Sequence, residues 1–205
     1  MNMMLTKPGG RWAALFLALA LALALGLAGC AVPGADKTGG AGAGIGAGAS
    51  AVSKGYVWSR SMEAKRVALD KAVVGTGISV LRTKDNQLQV NVPSEFSFDI
   101  DSAAIKPGMR PVLDHFAQDL HLPLMSRMVV LVVGHTDSRG PAAVNDTLSL
   151  VRAISVGKYL EDKGVASGRI AVQGRGENEP LVDSTKDYAL ALNRRVEMFL
   201  REPAE

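Results

Sequence analysis

Residues 134–153 have the sequence GHTDSRGPAAVNDTLSLVRA, and the predicted architecture follows from this segment. They follow an apolar run at 128–133, whose β-branched residues and short length are typical of a buried strand. The Ser-Arg-Gly-Pro sequence at 138–141 predicts a turn. An amphipathic helix is predicted from near Ala142, because proline is tolerated at the start of a helix. The segment therefore predicts a strand, a turn and a helix in direct succession.

Two residues of opposite charge could meet within this segment. On the predicted helix Asn145, Leu148 and Arg152 lie at positions i, i+3 and i+7, which share one face. Asp137 follows the strand, so its carboxylate and the Arg152 guanidinium could converge over one pocket. Such a pair suits a ligand with both an amine and a carboxylate, because a guanidinium holds a carboxylate through two hydrogen bonds. The alternative is a solvated surface pair of little energetic value.

Three motifs in this order resemble the OmpA-like peptidoglycan-binding domain family. They are GHTDSRG at 134–140, Asn-x-x-Leu-Ser-x-x-Arg-Ala at 145–153 and NRRVE at 193–197. The resemblance covers roughly residues 88–201. It implies that the carboxylate of Asp137 and the guanidinium of Arg152 hold the amine and the carboxylate at the D-centre of diaminopimelate, in the peptide stem. The helix spacing selects the same two residues.

The same resemblance implies further ligand-binding residues. In chain order they are Phe98, Asp99, Ile100, Thr136, Asn145, Leu148 and Arg194. Phe98 belongs to an aromatic and acidic loop that borders the pocket in the family. The alternative for Phe98 is a core anchor, since aromatic side chains bury large areas. Arg194 either reaches the ligand or only fixes the end of the last strand through hydrogen bonds.

His135 invites a metal or catalytic interpretation, because Asp137 is two residues away. A metal site needs three or four convergent ligands, and the sequence has three His and one Cys, which lies outside the domain. No Ser-His-Asp order or second carboxylate partner is evident. We therefore expect no enzyme activity, no metal and no cofactor.

Residues 1–29 resemble an export signal. Lys7 and Arg11 precede 17 uncharged residues that are mostly Ala and Leu, a length marginal for a membrane span and suited to a signal peptide. The Leu-Ala-Gly-Cys sequence ending at Cys30 resembles the lipobox of bacterial lipoproteins, which implies cleavage before Cys30 and acylation of that residue. The alternative is a transmembrane anchor with an incidental cysteine. Cys30 is the only cysteine, which excludes an intrachain disulfide.

Charge and composition argue against nucleic-acid binding. The formal charge is +3, and Lys7 and Arg11 contribute two of the positive charges. A nucleic-acid-binding domain would show a clustered basic face. Within residues 30–53, the tract GGAGAGIGAGA has no side chains able to form a core, and we favour a flexible linker. The alternative is a glycine zipper in lipid, for which 11 residues are too few to span a bilayer.

Residues 54–87 are predicted to precede the domain as a helix and part of a hairpin. A charged helix is expected at 59–74, where the following glycines end it. The runs 78–83 and 87–92 predict a β-hairpin, because the second run alternates strictly between apolar and polar residues. This order of elements resembles the YiaD-type subgroup of OmpA-like lipoproteins, which also carry a glycine-rich stretch after the cysteine.

The predicted fold class is α/β. The resemblance implies an OmpA-like βαβαββ sandwich, a mixed sheet of about four strands with helices on one face. Residues 88–202 would form this domain, with a loop at 93–107, a helix at 108–122, and strands at 169–173 and 195–201 in addition to those above.

The predicted function is a non-covalent tether between the outer membrane and the cell wall. Acyl chains on Cys30 would hold the membrane, and the domain, facing the periplasm, would hold peptidoglycan. Ala31 stands where an Asp would resemble an inner-membrane retention signal, which favours the outer membrane. One alternative is an assembly or partner-binding lipoprotein that acts through residues 39–77. The other is a flagellar-stator-like wall anchor, which would need a transmembrane helix.

Overall fold

The structure is a computed structural model that describes residues 55–183 and 186–204. In chain order its helices and strands are α1 (Arg60–Ala72), β1 (Ser79–Arg82), β2 (Leu88–Pro93), α2 (Ser94–Ser97), α3 (Arg110–Ala117), β3 (Val129–His135), α4 (Ala142–Asp162), β4 (Ile170–Gly174), α5 (Asp187–Asn193) and β5 (Arg195–Arg201). The predicted signal peptide, Cys30 and the glycine-rich tract lie outside the described residues. Within the described ranges, no helix is long and apolar enough to cross a bilayer.

The strands of the described residues form a mixed sheet in the order β1-β2-β5-β3-β4. Strands β3 and β4 are parallel, and the other neighbouring pairs are antiparallel. The predicted α/β sandwich is confirmed. In the described part of the chain the sheet has five strands rather than about four, because both strands of the predicted hairpin belong to it. Strand β1 forms one edge and pairs with β2 through Val80 and Val90.

The hydrophobic core lies between one face of the sheet and helices α1, α3 and α4. Strand β2 shows why, since its residues alternate between buried and half-buried side chains and turn one apolar row toward the helices. The fully buried core side chains include Met62, Leu69, Leu88, Val90, Val92, Leu113, Phe116, Val132, Val156, Leu160, Val196, Met198 and Leu200. Each such burial of a large apolar side chain contributes about 1.5–3 kcal/mol.

Two glycines bring α4 against the carboxyl ends of β3 and β4. A side chain at Gly134 would overlap the main-chain carbonyl of Ser149, and a Cβ at Gly174 would lie 2.6 Å from the main-chain nitrogen of Leu150. Only glycine permits this close approach of two backbones. The part of α4 at Ser149 and Leu150, just before Arg152, is therefore held close to the end of β3.

Most predicted element ends agree with the structure. The exceptions are the end of α3 and a short helix within a predicted loop. Pro141 immediately precedes α4, and Gly164 follows its end with a positive φ of 92°, as the sequence predicts. Helix α3 ends at Ala117 instead of near 122, because Gln118 leaves the helical conformation at φ −50° and ψ 134°. The loop predicted at 93–107 contains the short helix α2. The hydroxyl of Ser97, at the end of this helix, donates to the Pro93 carbonyl.

The described chain begins at the end of the sheet opposite the end of β3. The Val57 N–H donates to the Glu202 carbonyl at 2.8 Å, and Tyr56 forms a β-bridge with Pro203. Both partners follow the end of β5, whose first residue, Arg195, pairs with His135 at the other end. Residues 137–152 therefore lie far along the sheet from the point where the described chain enters it.

Candidate functional site

The candidate site lies beyond the carboxyl end of β3. Asp137 stands two residues after this strand, and Arg152 lies on the adjacent half of α4; both residues are more than nine-tenths buried. The loop that contains Asp99 and the start of β5 complete the surroundings. A buried carboxylate and a buried guanidinium are costly to desolvate, so each is expected to be held by hydrogen bonds.

Two donors hold the carboxylate of Asp137. Its Oδ1 accepts from the main-chain N–H of Arg139 at 3.0 Å, and its Oδ2 accepts from Nη1 of Arg194 at 2.7 Å. Each carboxylate oxygen has two lone pairs. The carboxylate is therefore oriented by the protein and retains acceptor capacity for a ligand ammonium.

Asn145 orders the turn that carries Asp137. Its Nδ2 donates to the main-chain oxygens of Asp137 and Arg139 at 3.2 Å and 3.0 Å, and to Oε2 of Glu177 at 2.7 Å. Asn145 therefore lies at the site, and its amide nitrogen is hydrogen-bonded to protein atoms. These contacts position the Asp137 carboxylate.

Arg152 donates to the main chain of the neighbouring loop. Its Nε donates to the Ser102 carbonyl at 2.9 Å and its Nη2 to the Asp99 carbonyl at 3.3 Å. Within the described residues its Nη1 makes no hydrogen bond. One nitrogen of the guanidinium therefore remains available as a donor for a ligand carboxylate.

The charges of Arg152 and Asp137 influence each other without direct contact. Burial lowers the pKa of the Arg152 guanidinium, and the positive charge of Arg194 adds to this effect. The negative charges of Asp101 and Asp137 oppose it, and the net shift is downward. The described side chains of Arg152 and Asp137 form no hydrogen bond with each other. The two side chains lie near enough for their charges to interact, and each is hydrogen-bonded to other parts of the protein.

The loop beneath Arg152 contains three of the predicted site residues. Phe98 is 3% exposed and belongs to the hydrophobic core, and its ring centre lies 5.2 Å from Cζ of Arg152. It therefore has both predicted positions, as a core anchor and as a wall of the site. The Asp99 carboxylate lies 3.2 Å from Nζ of Lys106, and Ile100 is 92% exposed at the tip of the turn.

Arg194 lies at the site and not only at the strand end. Its Nη1 donates to Asp137, and its Nη2 donates to Oε1 of Glu95 at 2.7 Å. Burial lowers the pKa of Arg194, but the hydrogen bonds to Asp137 and Glu95 outweigh this effect and raise it. Glu95 was not expected from the sequence, because it precedes the three motifs and no local pattern singles it out.

The remaining predicted residues, Thr136 and Leu148, border the same region. Thr136 is buried, and its Oγ1 has no hydrogen-bond partner within the described residues. Leu148 is half-buried on α4, one turn before Arg152. The structure therefore places every predicted site residue of the domain around the end of β3.

His135 belongs to a different cluster, on the opposite face of the sheet from the hydrophobic core. Its Nε2 lies 3.5 Å from Oε2 of Glu197, whose Oε1 accepts from Arg195 at 2.8 Å. Burial raises the pKa of Glu197, but the neighbouring His135 and the hydrogen bond from Arg195 outweigh this effect and lower the pKa. No group of three or more His, Cys, Asp or Glu in the described ranges is arranged to hold a metal.

The model of the OmpA family matches residues 97–194, which include Asp137 and Arg152. This segment is a domain of the OmpA family. The resemblance predicted from the three motifs is confirmed, and the OmpA-family domain comprises the candidate site together with helix α4 and strands β3 and β4.

Individual relatives support this assignment. The chain is 37% identical over 139 residues to the probable lipoprotein YiaD of Escherichia coli (strain K12), covering 68% of this chain and 62% of that protein. It is 35% identical over 103 residues to the peptidoglycan-associated lipoprotein of Pseudomonas aeruginosa, covering 50% of this chain and 60% of that protein. The chain thus spans less than two thirds of the length of these curated relatives.

A solved structure shares the fold. The cell wall anchor of the T6SS from Pseudomonas aeruginosa superimposes with a TM-score of 0.58 and 26% sequence identity, covering 66% of this chain and 95% of that chain. The similarity extends beyond the 97–194 segment, in keeping with α1 and β1 being part of the same core and sheet.

Proposed function

We propose that this protein is a non-enzymatic tether that binds peptidoglycan through its OmpA-family domain and is held in the outer membrane by acyl chains on Cys30. The observation that carries the wall-binding part is the buried pair of Asp137 and Arg152 at one end of the sheet. The names of two relatives, a peptidoglycan-associated lipoprotein and a cell wall anchor, agree with this class of function.

The proposed ligand is the D-centre of diaminopimelate in the peptide stem. Its ammonium would donate to the Asp137 carboxylate, which has free acceptor capacity beside Arg139 N–H and Arg194. Its carboxylate would accept from Nη1 of Arg152, whose other contacts leave this atom available. Because the guanidinium is buried, this charged hydrogen bond would be stronger than one at the protein surface.

The position of the chain's entry supports a tether. The described chain enters beside Glu202 and Pro203, whereas Asp137 follows β3 at the other end of the sheet. The first described residues, from Gly55, therefore lie at the end of the sheet away from the site. The membrane and the wall could be held at the same time without competing for one surface.

A pull-down with purified diaminopimelate-type peptidoglycan tests the wall-binding part. The full chain, purified in detergent, is compared with Asp137→Asn and Arg152→Ala, and thermal unfolding verifies that each variant is folded. Asp70→Asn and Arg110→Ala remove the same kinds of charge at exposed positions and serve as matched controls. Wild type and controls should sediment with the wall, and both site variants should stay in the supernatant. Equal sedimentation of folded site variants would contradict the proposal.

The membrane part needs a separate test, because Cys30 lies outside the described residues. Metabolic labelling with palmitate should mark the wild-type chain and not Cys30→Ser. Fractionation on a density gradient should place the labelled chain with the outer membrane. Labelled protein in the inner-membrane fraction would contradict the proposed location and leave wall binding unaffected.

A further inference from the structure

Arg194 donates to two carboxylates at once. Its Nη1 lies 2.7 Å from Oδ2 of Asp137, and its Nη2 lies 2.7 Å from Oε1 of Glu95. Glu95 is in the first turn of α2 and precedes the segment that matches the OmpA family. The main-chain N–H of Ser94 donates to the Arg194 carbonyl at 2.9 Å, which fixes the start of α2 against the strand end.

This arrangement creates a competition for the Asp137 carboxylate. A ligand ammonium must bind an acid that already accepts from Arg194, the cation nearest to it. If the guanidinium moved off Asp137 without another acceptor, a partly buried charged donor would lose its partner, which costs free energy. The Glu95 carboxylate supplies that acceptor, through the other terminal nitrogen of Arg194, Nη2.

The net charge of these three side chains also favours an ammonium at Asp137. Glu95, Arg194 and Asp137 carry one positive and two negative charges, so together they favour an incoming cation. Without the Glu95 charge, the charges of Arg194 and Asp137 would cancel. Both terminal nitrogens of Arg194, Nη1 and Nη2, could then donate to the two oxygens of the Asp137 carboxylate, which is the preferred geometry of an arginine–carboxylate pair. An ammonium would then meet a neutral pair that is more strongly bonded.

We propose that Glu95 is a specificity-determining residue: by binding Nη2 of Arg194 it limits that guanidinium to one hydrogen bond with Asp137, which keeps this carboxylate available for a free ammonium rather than an amide. This inference rests on the proposed function. Glu95 does not touch the ligand in this scheme. It acts through Arg194, and its effect on ligand affinity should disappear when Arg194 is replaced by an uncharged residue.

The test is a double-mutant cycle on the full chain in detergent, with the affinity for meso-diaminopimelate measured by calorimetry. The variants are Glu95→Gln, Arg194→Gln and the double variant, with Glu161→Gln, at an exposed position on α4, as the matched control. Because the Glu95 side chain is 68% exposed, Glu95→Gln should fold normally. We expect it to weaken binding roughly 2- to 5-fold, the range for an exposed charge pair. The same change in the Arg194→Gln background should have no effect.

A second readout separates selectivity from simple structural damage. The ratio of the affinities for diaminopimelate and its D-centre N-acetyl derivative should fall in Glu95→Gln, since only the free amine gains from the negative cluster. An unchanged affinity and ratio in Glu95→Gln, or an equal loss with and without Arg194, would overturn the inference while leaving wall binding intact. Failure of the wild type to bind diaminopimelate would instead overturn the proposed ligand, and this inference with it.

Discussion

Each of the two ends of the sheet holds a buried or partly buried arginine that donates to main-chain carbonyls. The two arginines differ in how many of their nitrogens are bonded to the protein, and we infer that one is structural and the other binds ligand. At the end where β4 begins, Arg169 donates through Nε, Nη1 and Nη2 to the carbonyls of Met128, Leu120 and Met125, at 2.7, 2.6 and 2.6 Å. At the other end Arg152 uses only Nε and Nη2 in this way. A guanidinium with all three nitrogens bonded holds a loop, whereas one with a nitrogen left over can also hold a ligand.

Among the variants considered, Arg152→Ala is expected to have the largest effect on ligand binding. The truncation should leave the ligand carboxylate unpaired and weaken binding by roughly 2–5 kcal/mol, as for other truncated charge-pair contacts. Calorimetric titration of the full chain with diaminopimelate measures the loss, and Arg110→Ala serves as the exposed control. A folded Arg152→Ala variant with wild-type affinity would show that its remaining nitrogen is not a ligand contact.

The converse variant is Arg169→Met at the other end. Three carbonyls of the segment before β3 would lose a charged donor, so the free energy of unfolding should fall by about 2–4 kcal/mol. Ligand affinity should stay at the wild-type value in the folded variant, because Arg169 lies at the opposite end of the sheet. Urea denaturation and titration measure the two effects. A drop in affinity at unchanged stability would contradict the assigned roles.

Lys65 adds a pH-dependent contact to the end held by Arg169. Its Nζ donates to the carbonyls of His115 and Gln118 at the end of α3, and burial lowers its pKa to about 8, against the opposing charge of Asp119. Between pH 8 and its ordinary pKa the unfolded chain binds more protons at this residue. Its contribution to the free energy of unfolding therefore rises with pH, by about 1–2 kcal/mol from pH 8 to 9.5.

The comparison of Lys65→Met with the wild type isolates this term. The rise should vanish in Lys65→Met and persist in the control Lys71→Met, which removes an exposed ammonium from the same helix. Urea denaturation at several pH values is the measurement. Identical pH profiles for wild type and Lys65→Met would mean that the ammonium is not desolvated in the folded protein.

The smallest expected effect comes from the tip of the loop that Arg152 holds. Ile100 is 92% exposed, so Ile100→Ala should change the free energy of unfolding by less than about 0.5 kcal/mol. If the ligand covers this side chain, affinity for the peptide stem should fall roughly 2- to 5-fold, as expected for about one lost apolar contact. Titration with a stem peptide tests this, and an unchanged affinity would exclude the Ile100 side chain from the ligand contacts.

Local patterns in the sequence were sufficient for most elements of the fold. The apolar run before Gly134, the turn ending at Pro141 and the glycine at 164 determine β3 and α4, because the signals lie within the elements themselves. The strict alternation of β2 likewise sets its buried face. The early end of α3 could not be read in this way, since Lys65 binds its last carbonyls from about fifty positions away.

The residues that carry the proposed chemistry can be selected from sequence patterns alone. The helical period places Asn145, Leu148 and Arg152 on one face, and the strand end places Asp137 nearby. The three motifs identify the family. These relations survive without coordinates because they depend on backbone geometry over fewer than twenty residues.

The hydrogen-bond partners of those residues depend on the tertiary structure. It brings Arg194 to Asp137 and Glu95 to Arg194, and it leaves one nitrogen of Arg152 available while all three of Arg169 are bonded. Hydrogen bonds act only at distances near 3 Å and in suitable directions. Between residues forty or more positions apart, such distances are set by the packing of the sheet and helices, which no local pattern specifies.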